Sequence, residues 1–445
     1  MKFYNRESQL AEMKRIQNLA FKEHSKMTVV TGRRRIGKTS LIHRALEIGG
    51  KKSIPTIYFF VTRKSEAALC REFAETASRA LDLLIPYEIG SFGRLFRALM
   101  EVGMNRAFNL VIDEFQEFDY VNQSIFGDIQ NHWDQMQKKT KVNLVISGSA
   151  YSLMNKIFKN SKEPLFGRAD NILTLQAFSP STLKEILRDN FPKYTNDDLL
   201  ALYSFTGGIP KYVEQLCDSG SLSVAKMIDF IARTDSPFID EGKNLLINEI
   251  GKNYGIYFSI LSAVSGGATA QNSIEDIVGN LSISGHIKRL IEDYQILTRR
   301  RPILAKDGSH TVRYEIEDNF LHFWFAYFDK YRSLIEIGNL ETLHKIIADS
   351  YTTYSGLMLE RYFKKHLAEQ RSFRDIGSWW ESKGNENQID IVGLRLEKDR
   401  ALVAEVKRKQ ENFRMSKFEE KVRHLKEKAM PQYGLELKCL SLEDM

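Results

Sequence analysis

The sequence contains few cysteines and few prolines. Its 445 residues include three cysteines, nine prolines and 27 glycines. Cys70, Cys217 and Cys439 lie too far apart for a C-x-x-C redox pair, a zinc knuckle or a disulfide framework. Proline and glycine are also too rare for a fibrous or low-complexity chain. These counts exclude a small module held together by disulfides or zinc, and they favour an ordinary globular protein.

Long apolar runs are absent as well. The longest one, around 320–328, is about nine residues long and includes His322, whereas a membrane-spanning helix needs about 20 apolar residues. The sequence begins with polar and charged residues instead of the apolar stretch of a secretory signal. We therefore expect a cytoplasmic protein that does not interact with membranes.

The overall charge is moderately positive. The chain has 64 Lys and Arg residues against 57 Asp and Glu residues, a formal net charge of +7. This excess permits binding to an anionic polymer such as DNA but does not require it. At roughly 100 to 200 residues per domain, the chain is long enough for about two to four domains.

Short apolar runs are separated by long amphipathic stretches in the first part of the chain. The runs cover 27–31, 56–61, 108–113, 142–147 and, more weakly, 172–175. Continuous apolar strands of this kind are typical of a parallel sheet with helices on both faces. The pattern predicts an α/β fold with a P-loop type of sheet in a first domain, residues 1–178.

After the first domain, the pattern of apolar strand-like runs gives way to helical spacing. Helical spacing without strands follows the first domain, and a pair of strand-like runs then flanks a turn at Asp307-Gly308. Near the carboxyl end, a helical pattern precedes three more strand-like runs. The predicted units are a helical lid (179–240), a winged helix (241–318), a helical connector (319–350) and a small α+β domain (351–445).

A phosphate-binding motif follows the first apolar run. Residues 32–39 read G-R-R-R-I-G-K-T, which is the G-x-x-x-x-G-K-[ST] pattern between a strand and a helix. The glycines let backbone N–H groups turn toward phosphates, Lys38 reaches the β and γ oxygens, and Thr39 can bind magnesium. ATP and Mg²⁺ are the expected ligands, and the expected nucleotide-binding residues are Gly32, Ile36, Gly37, Lys38, Thr39 and Ser40.

Two carboxylates, Asp113 and Glu114, end another apolar run. Beside a P-loop, Asp113 is expected to bind magnesium and Glu114 to polarise the attacking water. The run at 142–147 ends near Ser147 and Ser149, which either sense the γ-phosphate or simply cap a strand end. Arg168 precedes the last run, where it either stabilises the charge that develops in phosphoryl transfer or forms a surface salt bridge.

These motifs resemble those of a known family. Together with Phe3-x-x-Arg6-Glu7, Phe166-Gly167-Arg168 and Gly207-x-x-Pro210, they are similar to the archaeal-type ATPases, a STAND branch of the AAA+-like NTPases. The resemblance implies a five-stranded P-loop core with an extra strand between the phosphate-binding and magnesium-binding strands. It also implies an adenine edge near Arg6 and a lid whose Pro210 segment closes over the nucleotide. In this family, ATP turnover drives a conformational switch or an attached effector.

A second candidate site lies near the carboxyl end. Asp390 lies on one strand-like run, and Glu405 and Lys407 share a face of the next run, because alternate strand residues point to the same side. Asp390 and Glu405 can hold magnesium at a scissile phosphate, and Lys407 can orient or activate water. Glu360, on the preceding helix, can complete the cluster.

This second pattern resembles the PD-(D/E)XK nuclease superfamily, although Ile389 replaces the proline before the first acid. Three interpretations stay open: an active nuclease, a nuclease fold that serves only for binding or as a structural domain, and a coincidental strand edge. The basic run over 407–428 is either a phosphate-contacting surface or a solvated helix with internal ion pairs.

Together, the two sites predict a magnesium-dependent ATPase whose nucleotide state controls a nuclease-like, DNA-directed terminal domain. The alternative is a STAND-type signalling or scaffolding switch, in which ATP governs oligomerisation and the terminal domain is catalytically silent. The expected partners are ATP, DNA and either a second copy of the chain or another protein.

Overall fold

The structure is a computed structural model that describes residues 1–48, 54–86, 89–149, 151–251, 254–306, 308, 311–381 and 387–445. It contains two compact units, Lys2–Gln176 and Ala177–Met445, and Met1 belongs to the second. Asp307, which forms half of the expected turn, lies outside the described residues. No helix in the described part of the chain has the length and hydropathy of a membrane span.

The first unit is built on a parallel five-stranded sheet. Its strands are β1 (Lys26–Thr31), β2 (Thr56–Phe60), β3 (Phe108–Asp113), β4 (Val142–Ser147) and β5 (Asn171–Thr174). They run in the order β2-β3-β4-β1-β5. Strand β4 therefore lies between β1, which leads into the P-loop, and β3, which carries Asp113. This order confirms the extra strand that the resemblance implies.

Helices and short turns connect these strands. Every residue of β3 and β4 is buried, which explains their mainly apolar sequences, because both faces of these strands are covered. The buried side-chain amide of Asn143 donates a 2.9 Å hydrogen bond to the side-chain oxygen of Asn109. Two 3₁₀ turns cover Phe115–Glu117 and Gln137–Lys139. The helices are α1 (Glu7–Lys22), α2 (Lys38–Ala45), α3 (Glu66–Leu81), α4 (Phe92–Val102), α5 (Phe118–Val121), α6 (Ser124–Met136) and α7 (Tyr151–Lys159).

The second unit begins with helices. Helix α9 (Asn196–Thr206) is buried on every side from Asp198 to Thr206, because its apolar residues cover all of its faces. Thr195 and Asp198 cap its start with reciprocal hydrogen bonds between side chain and backbone. The helices are α8 (Pro180–Asn190), α9 (Asn196–Thr206), α10 (Pro210–Asp218), α11 (Val224–Ile231), α12 (Glu241–Ile250), α13 (Gly255–Ser265), α14 (Gln271–Ile277) and α15 (Ser284–Glu292).

An antiparallel hairpin, β6 (Leu297–Arg300) and β7 (Arg313–Ile316), follows these helices. This is the helix and hairpin order expected over 241–318, and the winged-helix assignment stays a prediction. The segment after β6 packs on the terminal domain: the N–H of Ile303 donates a 2.9 Å hydrogen bond to the Ser378 carbonyl, and its side chain joins the terminal core. The hairpin is thereby attached to that domain.

A long helix, α18 (Leu340–Glu369), begins well before residue 351, where the sequence pattern places the terminal domain. Asn339 caps it by accepting a hydrogen bond from the backbone N–H of Thr342, and no proline interrupts its 30 residues. The expected boundary at 350 therefore falls inside a continuous helix. The preceding elements are α16 (Asn319–Phe323), a π-helical turn (Trp324–Asp329) and α17 (Arg332–Glu336).

The terminal domain combines α18 with a mixed sheet and α19 (Met415–Lys428). The strand order is β11-β10-β9-β8, and only β10 and β11 are parallel. The sequence pattern predicts three of these strands but misses β8, because Arg374, Asp375 and Gly377 leave no apolar run there. The strands are β8 (Phe373–Trp379), β9 (Ile389–Arg395), β10 (Arg400–Val406) and β11 (Gly434–Leu440), and 3₁₀ turns cover Gln410–Asn412 and Leu442–Asp444.

Candidate functional site

The P-loop requires glycine at two positions for different reasons. Gly32 has a φ of +146°, and a Cβ there would lie 2.9 Å from the Leu175 carbonyl oxygen. Gly37 has a φ of +89° immediately before α2, although a Cβ there would meet no atom within 4 Å. Both space and backbone conformation therefore demand glycine at 32, whereas conformation alone demands it at 37. The motif forms the tight loop that the sequence predicts.

Lys38 is folded back over this loop. Its ammonium donates hydrogen bonds of 2.9 Å to the Gly32 carbonyl and 3.0 Å to the Arg33 carbonyl, and the residue is only 7% exposed. Ile36 is buried beneath the loop, whereas Thr39 and Ser40 at the start of α2 are exposed. The helix thus presents its first backbone N–H groups and two hydroxyls to solvent, which is the arrangement that binds phosphate.

Asp113 lies within reach of Thr39. One carboxylate oxygen of Asp113, Oδ2, accepts hydrogen bonds from the Thr39 hydroxyl at 3.4 Å and from the Tyr58 hydroxyl at 2.5 Å. The other oxygen, Oδ1, accepts from the Glu114 N–H at 3.0 Å. Burial and the neighbouring Asp113 raise the pKa of Tyr58, so Tyr58 stays a donor. A hydroxyl beside a carboxylate fits Mg²⁺, which prefers hard oxygen ligands and keeps several waters.

Glu114 adopts a strained backbone conformation. Its φ of +53° and ψ of +41° are left-handed, and such a conformation costs a non-glycine residue about 1–2 kcal/mol. Its carboxylate Oε2 accepts hydrogen bonds of 2.6 Å from the Ser149 hydroxyl and 2.5 Å from the Gln116 amide. Ser149 thus orients Glu114, while the Ser147 hydroxyl is buried without a hydrogen-bond partner among the described residues.

Arg6, Arg168 and Pro210 are the three other residues that the sequence predicts for the nucleotide site. Arg6 is buried and donates a 2.6 Å hydrogen bond to the Gln176 carbonyl. Arg168 forms a 3.0 Å ion pair with Asp134, which is one of the two alternatives left open by the sequence; its role in phosphoryl transfer stays a prediction. Pro210 is the first residue of α10 in the second unit, and its contact with nucleotide also stays a prediction.

The terminal cluster lies on β9, β10 and the residue after β10. Asp390 and Glu405 are 7% and 6% exposed, and their strands are antiparallel neighbours. Asp390 Oδ2 accepts a 2.8 Å hydrogen bond from the N–H of Val406, and the ammonium of Lys407 donates at 2.9 Å to Glu405 Oε1. Burial, and then the charge of Glu405, raises the pKa of Asp390. The two carboxylates therefore interact closely.

Glu360 joins this cluster from α18. Burial, and then the charge of Asp390, raises the pKa of Glu360 to about 7. The Lys364 ammonium lies 4.0 Å from its carboxylate. Although burial opposes the shift, Glu405, Asp390 and Glu360 together raise the pKa of Lys407. The structure therefore brings together all four residues that the sequence predicts for this site.

One carboxylate oxygen of the cluster is left to a ligand. Glu405 Oε2 is buried and has no hydrogen-bond partner among the described residues, and a buried oxygen of this kind calls for a ligand. The described residues contain no group of three His, Cys, Asp or Glu side chains arranged to hold a metal. Mg²⁺ commonly binds one or two carboxylates and takes its other ligands from water or substrate. Asp390 and Glu405 fit that kind of site.

An ion pair beside the cluster connects β10 with α9. Arg408 donates a 2.9 Å hydrogen bond to Asp197 Oδ1 and another to the Ser355 hydroxyl. The Tyr351 hydroxyl donates at 2.8 Å to the same Asp197 oxygen. The Arg408 side chain is 14% exposed and that of Asp197 is 35% exposed. The chain directly after Lys407 is thereby fixed to a helix of the predicted lid.

Sequence comparison places the chain among known proteins. Residues 3–216 match a family described as an ATPase domain predominantly from Archaea. An uncharacterized protein of Methanocaldococcus jannaschii is 30% identical over 406 residues, 89% of this chain and 86% of that protein. The chain belongs to this archaeal ATPase family. Residues 324–423 of the ATPase also match a second family, described as archaeal and bacterial proteins of unknown function.

Solved structures share the fold of the ATPase. A Walker-type ATPase of Pyrococcus abyssi has a TM-score of 0.53 and 17% identity, and the match covers 73% of this chain and 96% of that one. The ORC2 protein of Aeropyrum pernix, solved as ADPNP–ADP complexes, has a TM-score of 0.52 and 13% identity, covering 78% and 96%. These likenesses confirm the P-loop type of α/β fold.

Four residues outside the two motifs contact the two sites of the ATPase, and two of them, Arg408 and Lys421, belong to the basic run over 407–428. Tyr58 and Gln116 hold the carboxylates at the P-loop, while Lys421 and Arg408 flank the terminal cluster. Tyr58 lies at the centre of an apolar strand, so no local signal marks it. Gln116 lies two residues after Glu114, so the local sequence does mark it as a neighbour of that carboxylate.

Proposed function

We propose that the ATPase hydrolyses ATP with magnesium and that its nucleotide state controls DNA cleavage by the terminal cluster. Hydrolysis rests on Glu114, whose carboxylate is oriented by Ser149 and Gln116 directly after Asp113, which contacts Thr39. A protein that only bound ATP would not need a strained, oriented carboxylate at this position. The ADPNP–ADP complexes of the Aeropyrum ORC2 protein, which shares the fold, support ATP as the ligand.

Each P-loop residue has a defined task in this proposal. Phosphate oxygens replace the two carbonyl acceptors of Lys38, and the N–H groups at the start of α2 hold the same phosphates. Thr39 and Asp113 hold magnesium, which neutralises charge on the β and γ oxygens when bound. Glu114 accepts a hydrogen bond from the attacking water and aligns it with the γ-phosphate. Hydrogen bonds from its neighbours keep this carboxylate from rotating away.

DNA cleavage is the proposed output of the terminal domain. Asp390 and Glu405 hold a divalent cation, which polarises the scissile phosphate when bound. Lys407 orients the attacking water, and Glu360, whose pKa is about 7, exchanges a proton near neutral pH. The convergence of three carboxylates and a lysine from three elements supports this assignment over a coincidental strand edge.

ATP hydrolysis by the full-length protein tests the first half of the proposal. Glu114→Gln should reduce turnover by about 100-fold or more while retaining ATP binding. Glu117→Gln is the matched control, since Glu117 is a neighbouring acid whose carboxylate pairs with Arg63. Turnover is measured with and without magnesium and duplex DNA, at one stated salt concentration. Equal turnover in wild type and Glu114→Gln would refute the assigned role.

Cleavage of single-stranded, duplex and branched DNA tests the second half. Asp390→Asn should abolish magnesium-dependent cleavage without loss of folding, whereas Asp375→Asn, an exposed acid on β8, should leave it intact. Lys38→Ala should change both ATP turnover and cleavage if nucleotide controls the terminal site. Absence of cleavage for every substrate would favour a signalling or scaffolding switch with a catalytically silent terminal domain.

A further inference from the structure

Two lysines share one oxygen of Glu405. The ammonium groups of Lys407 and Lys421 each lie 2.9 Å from Glu405 Oε1. Lys421 comes from α19, and its side chain is 22% exposed, compared with 34% for Lys407. Phe418 and Val422 are buried on either side of Lys421 along the helix, so the backbone of α19 holds Lys421 in place against the sheet.

The two lysines differ in their other partners. The charges of Asp390 and Glu360 also attract the Lys407 ammonium. Among the described residues, Glu405 is the only carboxylate within 4.0 Å of either ammonium group. A divalent cation at Glu405 would repel both ammonium groups at short range. Glu360, which is not a ligand of the cation in this proposal, still attracts Lys407, so Lys421 is the lysine that leaves Glu405.

We infer that Lys421 is a phosphate-contacting residue of the terminal site, which is released from Glu405 by a divalent cation and then binds a non-bridging oxygen of DNA phosphate. The inference rests on the proposed DNA-directed function and assigns a role to one residue of the basic run over 407–428. Without metal, Lys421 neutralises Glu405 and competes with the cation. With metal, the same ammonium adds a positive charge where the anionic backbone of DNA binds.

If Lys421 has this role, replacing it should change the affinities for Mn²⁺ and for duplex DNA in opposite directions. Lys421→Met removes the competitor of the cation, so Mn²⁺ should bind roughly three- to tenfold more tightly in the absence of DNA and nucleotide. The same change removes a phosphate contact, so an oligonucleotide duplex in Ca²⁺ buffer should bind roughly three- to tenfold more weakly, with a salt slope lower by about one. If Lys421 merely supported the fold, Lys421→Met would weaken the binding of both Mn²⁺ and the duplex.

The experiment measures Mn²⁺ and duplex binding by calorimetry on the full-length, nucleotide-free protein. Asp390→Asn identifies the Mn²⁺ that binds at this cluster. Lys426→Met is the matched control, because it removes an equal charge from an exposed position on α19; it should leave Mn²⁺ binding unchanged and weaken duplex binding less. Lys421→Arg should restore duplex binding.

Several results would overturn the inference. Unchanged or weaker Mn²⁺ binding in Lys421→Met would show that Lys421 does not compete with a cation. Equal loss of duplex binding in Lys421→Met and Lys426→Met would show that DNA is attracted only by the general positive charge of α19. If the wild type did not bind the duplex at all, the contact between Lys421 and DNA phosphate would be refuted. The opposite shifts without any cleavage would support Lys421 while refuting the nuclease part of the proposed function.

Discussion

Removing Asp197 tests how firmly the terminal sheet is fixed to α9. Asp197→Ala leaves the Arg408 guanidinium, at 14% exposure, without its carboxylate and removes an acceptor of the Tyr351 hydroxyl. Breaking a fully buried ion pair costs about 3–5 kcal/mol, whereas an exposed pair is worth about 0–1 kcal/mol. Because the Asp197 side chain is 35% exposed, we expect an intermediate loss of about 2–3 kcal/mol in the free energy of unfolding.

Urea unfolding followed by tryptophan fluorescence measures this loss. Trp324, Trp379 and Trp380 all lie in the second unit, so the signal reports mainly on its unfolding. Glu336→Ala is the control, since Glu336 forms an exposed i,i+4 pair with an arginine, and it should change stability by less than about 0.5 kcal/mol.

A double-mutant cycle isolates the pair itself. Asp197→Ala and Arg408→Met should show a coupling energy of about 1 kcal/mol or more, because each residue contributes chiefly through the other. If Asp197→Ala shifted the unfolding midpoint no more than Glu336→Ala, the reasoning that fixes β10 to α9 through this pair would be wrong.

Three further predictions concern the two sites. Gly32→Ala should abolish ATP binding measured by calorimetry, whereas Gly37→Ala, which meets no clash, should only weaken it, through about 1–2 kcal/mol of backbone strain; equal effects would contradict the geometry. Tyr58→Phe should raise the magnesium concentration for half-maximal ATP turnover about tenfold, because it removes a hydrogen bond to Asp113. The folded-state pKa of Glu360, about 7, lies above its ordinary 4.5, so its contribution to stability is lost as pH rises from about 4.5 through 7. Glu360→Gln should therefore stabilise the protein at pH 8 by on the order of 2 kcal/mol but not at pH 4, as measured by urea unfolding.

The sheet of the first unit could be predicted closely because its strands are mainly apolar. The predicted runs at 108–113 and 142–147 coincide with β3 and β4, since burial on both faces leaves a signal that needs no knowledge of neighbours. Strand β8 gives no such signal, because only part of it is buried. The start of α18 was equally hidden, because a helix that crosses from one predicted unit to the next has no composition change at the boundary.

The site residues that could be predicted from the sequence are likewise those with a local sequence signal. The P-loop glycines and Asp113 could be predicted because the phosphate and magnesium chemistry of the motif is local in sequence. The contact of Tyr58 with Asp113 and that of Lys421 with Glu405 could not, because they depend on which strands become neighbours and on where α19 packs. Lys421 itself lies in the basic run over 407–428, for which the sequence leaves a phosphate-contacting surface open. Arg168 shows the limit of motif reasoning, since its ion pair with Asp134 depends on a partner 34 positions away.

The left-handed backbone of Glu114 also sets a direction for stability engineering. Glycine tolerates that conformation without strain, and asparagine tolerates it better than glutamate does. Replacing Glu114 by either one should relieve up to about 1 kcal/mol of strain. A screen that rewarded only heat resistance would therefore enrich Gly or Asn at position 114, and the most heat-resistant variants it returned would no longer turn over ATP.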